Sequence, residues 1–533
     1  MNNILILNLG TTKEILDSSH LIAAYKKENP HSEVSVLTYD ENLSICQTLV
    51  GVSQIYTLNQ TDITELVANP LYSDAHALNQ FSQDLYPVLE KEWSHAINYS
   101  NNEASSYLMG ALSAETKIGT FIDHNGVART SDEWSTFQNY VTARSERFSI
   151  ALPIVRNHIA GVPFHKDCEK IKINPEFLYV SNQNFNRVRS MNGKQAKYIV
   201  GINLEVGYDG LALTEQTVNQ TIEALIDSAD YQVVLLTSGK GYQKEMVNNL
   251  NAEYNNSLVS INVNSVALSS VLSNLDILVS TANDQLVMAD CLEVRVIEIK
   301  ERELSSPNPS TYFEGNHIIY TVNNENLSSD ILLCLNEAFE TELPIEVLES
   351  NNQVYLSVCD DYAQYYSQIR GEINLHDEIS YHVERAMHFE ILGYPRHTKL
   401  IEQLNSQLPK EEINSFVEKA RTQATQITKA LLATLKSLKE VNSQAGLNRF
   451  LTDLDNVMQF AAENHTAASL VKLFEGRVEN ITSTDPVENL KEIESLLFKL
   501  KSDIQLYVNI LAELTTDAKQ SEKSTPVVTE LTN

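Results

Sequence analysis

The chain opens with an uninterrupted apolar run, Ile-Leu-Ile-Leu at residues 4–7, which leads into a polar loop at residues 8–14. A run of this length without polar alternation predicts a strand buried on both faces, as in a parallel sheet. Apolar residues at helical spacing follow the loop, namely Ile15, Leu16, Leu21, Ile22 and Tyr25. Strand, loop and helix in this order form the first unit of a doubly wound α/β sheet, whose ligands bind beyond the carboxyl ends of the strands. The loop is therefore predicted to face a binding crevice.

The polar loop carries the first candidate site residues. Glu14 supplies a carboxylate, Lys13 a cation, and Thr11 and Thr12 two hydroxyl groups. They lie at the start of the predicted helix, where backbone N–H groups favour anions. The alternative is that Glu14 only caps the helix and interacts with its dipole. The loop is thus either a ligand site or an ordinary helix start.

Strand-like and helix-like patterns continue to alternate along most of the chain. Residues 1–165 form one series, with strand patterns at 33–37, 51–56 and 95–100. A second series spans residues 196–340. Two consecutive series of similar size predict two Rossmann-like domains with a cleft between them.

A glycine-containing loop in the second series is the next candidate site. It reads Thr-Ser-Gly-Lys-Gly at residues 237–241 and joins a predicted buried strand to a predicted helix. Glycines allow a ligand to approach the backbone closely, and a helix start with an ammonium group favours an anion. The candidate phosphate-binding residues are Thr237, Ser238, Gly239 and Lys240. The alternative is a plain connection, because the spacing of a Walker A motif is absent.

Charge and composition limit the function classes. The 70 acidic and 39 basic residues give a net charge of −31, which repels nucleic acid backbones and anionic lipid surfaces. A hydrophobic content of 43% supports packed cores. No apolar run is long enough for a membrane span and no secretory signal is recognised, so a cytoplasmic location is expected. The five cysteines are scattered singly, which predicts buried thiols and no metal site.

The pattern changes from residue 341 onward. Residues 341–404 predict a mixed connecting region, and residues 405–515 carry apolar stripes at helical spacing. Over residues 490–511 the apolar positions alternate between three and four apart, which is a heptad seam. We predict a helical bundle that closes on itself, or whose last seam meets another copy of the chain or a protein partner. Residues 516–533, rich in Thr, Ser, Lys and Glu, predict a disordered tail.

Several segments together resemble a known family. They are residues 4–7 through Glu14, Asn-Pro at 29–30 with the strand pattern at 34–37, Ser-Tyr-Leu-Met-Gly at 106–110 ahead of Lys-Ile-Gly at 117–119, and Asp-Ile-Leu-Val at 276–279. Over roughly residues 1–335 the chain resembles glycosyltransferase family nine, the ADP-heptose lipopolysaccharide heptosyltransferases. The resemblance implies a GT-B fold of two Rossmann-like domains, to which residues 405–515 add an all-α bundle. It also implies inverting transfer of a sugar, heptose-like or hexose, from a nucleotide-diphosphate donor to a glycan or protein acceptor, without a separate cofactor.

In that family the first loop carries a Gly-Asp pair whose Asp is the general base toward the acceptor hydroxyl. The matching positions here are Lys13 and Glu14, so the resemblance gives Glu14 the role of base. Its implied acceptor-binding neighbours are Thr11, Thr12 and Lys13. The extra methylene of a Glu moves the carboxylate by about 1 Å, which can lower the rate about 100-fold.

A small basic cluster, Arg144, Arg147 and Arg156, lies near the end of the first predicted domain. In the family a basic region here faces an anionic acceptor, which makes Arg144 and Arg147 candidate acceptor-binding residues. The alternative is that these residues form salt bridges with neighbouring carboxylates.

The donor side departs from the family pattern. The family's Asp-Ser-Gly-Pro-Met-His loop, which binds pyrophosphate and sugar, corresponds to residues 282–287, so Asn283 and Asp284 are candidate donor-binding residues. The Gly and His of that loop are absent here, and Asp284 repels a diphosphate. The family's phosphate-binding Lys is also missing, since residues 207–213 contain no cation.

Two hypotheses of different class follow. The chain is a sugar transferase with Glu14 as base, or it is a catalytically inactive relative that acts as a binding or scaffold protein through its C-terminal helices. The acidic residue at position 14 favours the enzyme. The loss of the phosphate-binding Lys and of the pyrophosphate loop favours the scaffold.

Overall fold

The computed structural model describes most of the chain. The described residues are 2–68, 74–145, 147–165, 168–191, 195–255, 257–302, 308–322, 324, 326–343, 351–360, 364–372, 374–395, 401, 404, 408–463 and 465–515. The predicted tail at residues 516–533 lies outside them. The chain divides into two compact units, which we call unit 1 (residues 1–128 and 151–372) and unit 2 (residues 129–150 and 373–533).

The first sheet of unit 1 is parallel. Its strands are β1 (Asn3–Leu7), β2 (Glu33–Tyr39), β3 (Val52–Leu58), β4 (Trp93–Asn98) and β5 (Ala114–Ile118), in the order β3-β2-β1-β4-β5. The helices between them are α1 (Thr12–Glu28), α2 (Leu43–Cys46), α3 (Gln60–Ala68), α4 (Asp74–Leu89) and α5 (Glu103–Ala111). The strand order reverses between β1 and β4, so a ligand crevice is expected beyond the carboxyl ends of these two strands.

The central position of β1 explains its composition. Ile4, Leu5, Ile6 and Leu7 are fully buried, because β1 has a strand on each side and its side chains point alternately to the two faces of the sheet. The predicted buried strand and the following helix are therefore confirmed.

Shorter elements lead to the second sheet. They are β6 (Thr120–Ile122), β7 (Ala128–Thr130), α6 (Glu133–Tyr140), α7 (Leu152–Ile159) and α8 (Pro175–Arg189). Of these, α6 belongs to unit 2, whereas α7 and α8 belong to unit 1.

The second sheet of unit 1 is separate from the first. Its strands are β8 (Tyr198–Asn203), β9 (Tyr231–Thr237), β10 (Val259–Asn262), β11 (Ile277–Thr281), β12 (Arg295–Glu301), β13 (His317–Thr321), β14 (Gln353–Cys359) and β15 (Gln364–Arg370). Hydrogen bonds order them β10-β9-β8-β11-β12-β13-β14-β15. Its helices are α9 (Glu215–Asp227), α10 (Gly241–Glu253), α11 (Leu268–Leu272), α12 (Asp284–Cys291) and α13 (Leu327–Phe339). Two separate sheets confirm the predicted α/β architecture with parallel strands. The strand order of the second sheet reverses between β8 and β11.

The two last strands lie within residues 341–404, the predicted mixed connecting region. β14 pairs antiparallel with β13, and β15 pairs antiparallel with β14. These strands extend the second sheet and cover the edge that β13 would otherwise expose. Part of the predicted connecting region is therefore sheet.

Unit 2 is helical. Its helices after the β-strands are α14 (Leu375–Ile391), α15 (Lys410–Leu438), α16 (Gln444–Met458), α17 (Ala468–Glu479) and α18 (Pro486–Glu513). Buried apolar side chains from all of them form one core. Asp485 caps α18, because its carboxylate accepts a hydrogen bond from the backbone N–H of Val487 at 2.9 Å.

Residues 129–150 belong to unit 2 rather than to the predicted first domain, which was placed at 1–165. Tyr140 on α6 packs on α17 at Gly476, where a Cβ would lie 2.4 Å from the tyrosine ring. Arg477 pairs with Glu133 on α6 and with Asp503 on α18. The contacts between α6 and α17 join segments more than 300 residues apart, which explains why alternating local patterns did not predict the boundary.

Candidate functional site

The loop after β1 contains Glu14, the predicted base. Thr11 is the N-cap of α1, and its hydroxyl oxygen accepts a hydrogen bond from the Glu14 backbone N–H at 3.5 Å. The Glu14 side chain folds back, and its Oε2 accepts a hydrogen bond from the Thr11 backbone N–H at 3.0 Å. Gly10 leaves room for this arrangement, because a Cβ there would lie 2.3 Å from Glu14 Oε2. Glu14 thus forms a capping box, the alternative that the sequence left open.

Glu14 also reaches the solvent. Its side chain is 31% exposed, and its second oxygen, Oε1, lies 3.6 Å from Nη2 of Arg156. Arg156 on α7 is buried, and its guanidinium lies 4.1 Å from the centre of the Tyr99 ring, just beyond β4. Nε and Nη1 of Arg156 have no hydrogen-bond partner among the described residues. The place where the strand order of the first sheet reverses therefore combines a partly exposed carboxylate with a buried cation.

The other predicted acceptor residues on α1 make internal contacts. Thr12 Oγ1 donates a hydrogen bond to Asn42 Oδ1 at 3.2 Å, and Lys13 Nζ donates one to Asp17 Oδ2 at 2.7 Å. Burial disfavours the charged form of Lys13, but the charge and hydrogen bond of Asp17, together with Tyr312, raise the pKa of Lys13 above its usual range. Lys13 Nζ also lies 5.8 Å from the centre of the Tyr312 ring. Lys13 is therefore a charged group that links α1 to the segment between β12 and β13.

Arg144 and Arg147 belong to unit 2, whereas Glu14 belongs to unit 1. Arg144 Nη1 donates to Glu475 Oε2 at 2.5 Å, and Arg147 Nη1 donates to Glu378 Oε1 at 2.6 Å. Both guanidinium groups pair with carboxylates, as in the salt-bridge alternative. The basic cluster seen in the sequence is also divided, since Arg156 belongs to unit 1.

The loop after β9 contains the predicted phosphate-binding residues. Gly239 and Gly241 have φ angles of +69° and +52°, in the left-handed region that favours glycine. Lys240 is exposed and precedes α10. The backbone N–H of Gly239 donates to the hydroxyl of Thr237 at 2.9 Å. The loop has the predicted conformation of a turn between strand and helix.

The Ser238 amide N–H in this loop already donates a hydrogen bond to a carboxylate. The Ser238 backbone N–H donates to Glu205 Oε1 at 2.5 Å, with Gln243 Oε1 as a second acceptor at 3.2 Å. Gln243 is buried, and its Oε1 also accepts from the hydroxyls of Thr237 and Ser238, both at 2.9 Å. Two side-chain oxygen atoms therefore already accept hydrogen bonds from the Ser238 N–H group that a phosphate would need.

The loop after β11 contains Asn283 and Asp284. Asn283 is the buried N-cap of α12, and its Oδ1 accepts from the Leu286 backbone N–H at 3.1 Å. Asn203 at the end of β8 also donates to this oxygen, at 3.2 Å. Asp284 Oδ1 accepts from the hydroxyl of Tyr208 at 2.5 Å. Asn283 therefore stabilises the helix start, and Asp284 adds a negative charge to its first turn.

Sequence reasoning missed four residues of this region. They are Glu205, Tyr208, Gln243 and Tyr312. A signal for Glu205 was present, because it lies two residues beyond Asn203, where the apolar run of β8 ends. The strand order of the second sheet reverses beside this strand. Its contact with Ser238 depends on the pairing of β8 with β9, which no local pattern shows.

Two further observations bear on the kind of site. No group of three or more His, Cys, Asp or Glu side chains in the described ranges is arranged to hold a metal ion. Among the helices that the structure describes, none has both the length and the apolar character needed to cross a membrane.

Comparison with known proteins finds similarity in structure. No protein-family model matches the sequence, and a search of curated proteins finds no match. Solved structures do match, each at 12% identity. They include a family 9 glycosyl transferase from Veillonella parvula (56% of this chain, 80% of that chain, TM-score 0.41), the E. coli heptosyltransferase WaaC with ADP (63%, 99%, 0.45) and the E. coli ADP-heptose lps heptosyltransferase II (63%, 98%, 0.46).

Proposed function

We propose that this protein is a glycosyltransferase that transfers a sugar from a nucleotide-diphosphate donor to a hydroxyl group of a glycan or protein acceptor. The observation that carries the proposal is the partly exposed Glu14 carboxylate in the loop after β1, where the strand order of the first sheet reverses. Ligands of doubly wound sheets bind at such points. The resemblance to glycosyltransferase family nine gives the same position to the general base.

In the proposed reaction, Glu14 Oε1 accepts the proton of the acceptor hydroxyl. The hydroxyl oxygen attacks the anomeric carbon of the donor from the face opposite the diphosphate. The bond from the anomeric carbon to the diphosphate oxygen breaks, and the nucleoside diphosphate leaves with the bonding electrons. Attack from the opposite face inverts the configuration at the anomeric carbon.

Two contacts orient the proposed base. The Thr11 backbone N–H holds Oε2 of Glu14 at 3.0 Å, which leaves Oε1 for the acceptor. Arg156 lies 3.6 Å from Oε1 and balances the charge of the carboxylate. Orientation of this kind is valuable, because a displacement of about 1 Å can cost about 100-fold in rate.

The donor is proposed to bind at the carboxyl edge of the second sheet. Lys240, with the backbone of Ser238 and Gly239, is proposed to face the phosphates, and Asn283 and Asp284 the sugar. Lys240 is exposed and follows a turn with a left-handed glycine, which supports an approach of phosphate to this loop.

The test is the substitution Glu14→Gln in the full chain. We expect sugar transfer to fall about 100-fold or more, the usual contribution of a general base, while donor affinity stays unchanged. The amide oxygen of Gln can still accept from the Thr11 N–H, so α1 keeps its start. The measurement is release of nucleoside diphosphate from a panel of nucleotide-diphosphate sugars, with and without acceptor.

The matched control is Asn174→Ala, which removes a cap without removing a proposed base. Asn174 caps α8 by accepting from the Glu176 backbone N–H at 2.9 Å. We expect this variant to lose stability and to keep its turnover. Equal turnover in wild type and Glu14→Gln would exclude Glu14 from the mechanism, and absence of turnover in both with every donor would contradict the enzyme.

A further inference from the structure

The backbone at Glu205 is fixed in place. Its backbone N–H donates to Asn203 Oδ1 at 3.2 Å, and its carbonyl oxygen accepts from Thr281 Oγ1 at 2.9 Å. These contacts hold Glu205 between the ends of β8 and β11. Any movement of its carboxylate must therefore come from rotation of the side chain.

The side chain of Glu205 is less restricted than its backbone. It is half-buried, and it reaches the Ser238 amide from the neighbouring strand end. When the carboxylate leaves, the Ser238 N–H keeps Gln243 Oε1 as an acceptor at 3.2 Å, so no buried donor is left without a partner. The departure of the Glu205 side chain therefore costs its own hydrogen bond to Ser238 but leaves no further buried group unsatisfied.

The Glu205 carboxylate lies where an anionic ligand is expected to bind. A backbone N–H group in a glycine-containing turn before a helix attracts carboxylates and phosphates alike. Its neighbours Gly239 and Lys240 are exposed, and Lys240 supplies a positive charge. Two anions cannot share one amide, because like charges at this distance repel each other strongly.

We infer that Glu205 is a displaceable internal anion, and that a phosphate group binds the loop of residues 237–241 only when the Glu205 side chain leaves the Ser238 amide. The inference rests on the proposed function for the nature of the ligand, a nucleoside diphosphate. It makes Glu205 a residue that sets the affinity for the donor. The Glu205 carboxylate thus keeps the phosphate site closed until a phosphate displaces it from the Ser238 amide.

The experiment measures pyrophosphate binding to the full chain by titration calorimetry. We expect Glu205→Ala to bind pyrophosphate at least tenfold more tightly than wild type, because both the competing acceptor and its charge are removed. Glu205→Gln keeps an oxygen that can accept from Ser238 and should show a smaller gain. This second variant also serves if Glu205→Ala does not fold, which thermal unfolding reports.

Two controls locate the effect. Glu223→Ala removes one negative charge from an exposed position on α9 and should leave the affinity unchanged. Glu205→Ala combined with Lys240→Ala should lose the gain, because the phosphate then lacks its cation. A gain that persists in this double variant, or that Glu223→Ala reproduces, would show an effect of net charge and overturn the inference.

The outcomes for the inference and for the proposed function are distinguishable. Equal pyrophosphate affinity in wild type, Glu205→Ala and Glu205→Gln, including no binding in any of them, overturns the inference. A gain in affinity without sugar transfer by any variant supports the inference and contradicts the transferase.

Discussion

The loops after β1 and after β9 both place a carboxylate on a backbone N–H group, but the two contacts differ in range. Glu14 Oε2 accepts from Thr11, three residues earlier, within one helix start. Glu205 Oε1 accepts from Ser238, 33 residues later, across two strand ends. The first contact forms whenever α1 forms, whereas the second requires β8 and β9 to pair.

This difference in range has a functional counterpart. The local contact uses one oxygen of Glu14 and leaves the other partly exposed, so a cap and a proposed base coexist in one side chain. The long-range contact uses the amide of the loop itself, so the proposed phosphate site and its internal anion exclude each other. In the first loop the bonded Glu14 carboxylate still exposes the proposed base, whereas the bonded Glu205 carboxylate closes the proposed phosphate site.

The largest further effect is expected for Gly10→Ala. Its Cβ would lie 2.3 Å from Glu14 Oε2 and 2.8 Å from Glu14 Cδ, so the carboxylate must leave the cap. We expect transfer to fall between about 10- and 100-fold, because the proposed base is misplaced by about 1 Å. Donor affinity should not change. The measurement is turnover with saturating donor, and unchanged turnover would show that the fold-back of Glu14 is unimportant for activity.

A smaller effect is expected for Gln243→Ala, on stability. Gln243 Oε1 accepts from Thr237 and Ser238, and its Nε2 donates to the Leu204 carbonyl at 3.1 Å. Loss of these buried contacts should lower the free energy of unfolding by about 1–3 kcal/mol. The measurement is denaturant unfolding, with Asn249→Ala on the exposed face of α10 as control. Equal losses in the two variants would argue against a special role of Gln243 in the loop.

The smallest effect is expected for Thr11→Ala. It removes the hydroxyl that accepts from the Glu14 backbone N–H but keeps the Thr11 backbone N–H that orients the carboxylate. We expect a loss of about 1 kcal/mol in the free energy of unfolding, as for other N-caps, and little change in turnover. Thermal unfolding and a transfer assay measure both. A fall in turnover as large as that of Gly10→Ala would mean that the hydroxyl, not the backbone, holds the base.

Local patterns were sufficient for much of the fold. The apolar run at residues 4–7 predicted a buried central strand, and the loop at 237–241 was correctly placed between a strand and a helix. These features are readable because burial on both faces and helix starts depend on a few consecutive residues. Glu14 as part of a helix start was readable for the same reason, whereas its proposed role as a base stays a prediction.

Long-range pairing decided what local patterns left open. The sequence by itself determined two α/β series, their candidate loops and the helical character of the C-terminal region. Only the tertiary structure assigned residues 129–150 to unit 2, paired Arg144 with Glu475 and Arg147 with Glu378, and set Glu205 on the Ser238 amide. The physical reason is that an ion pair or a hydrogen bond needs two groups within a few ångströms, and chain packing alone determines which distant groups come that close.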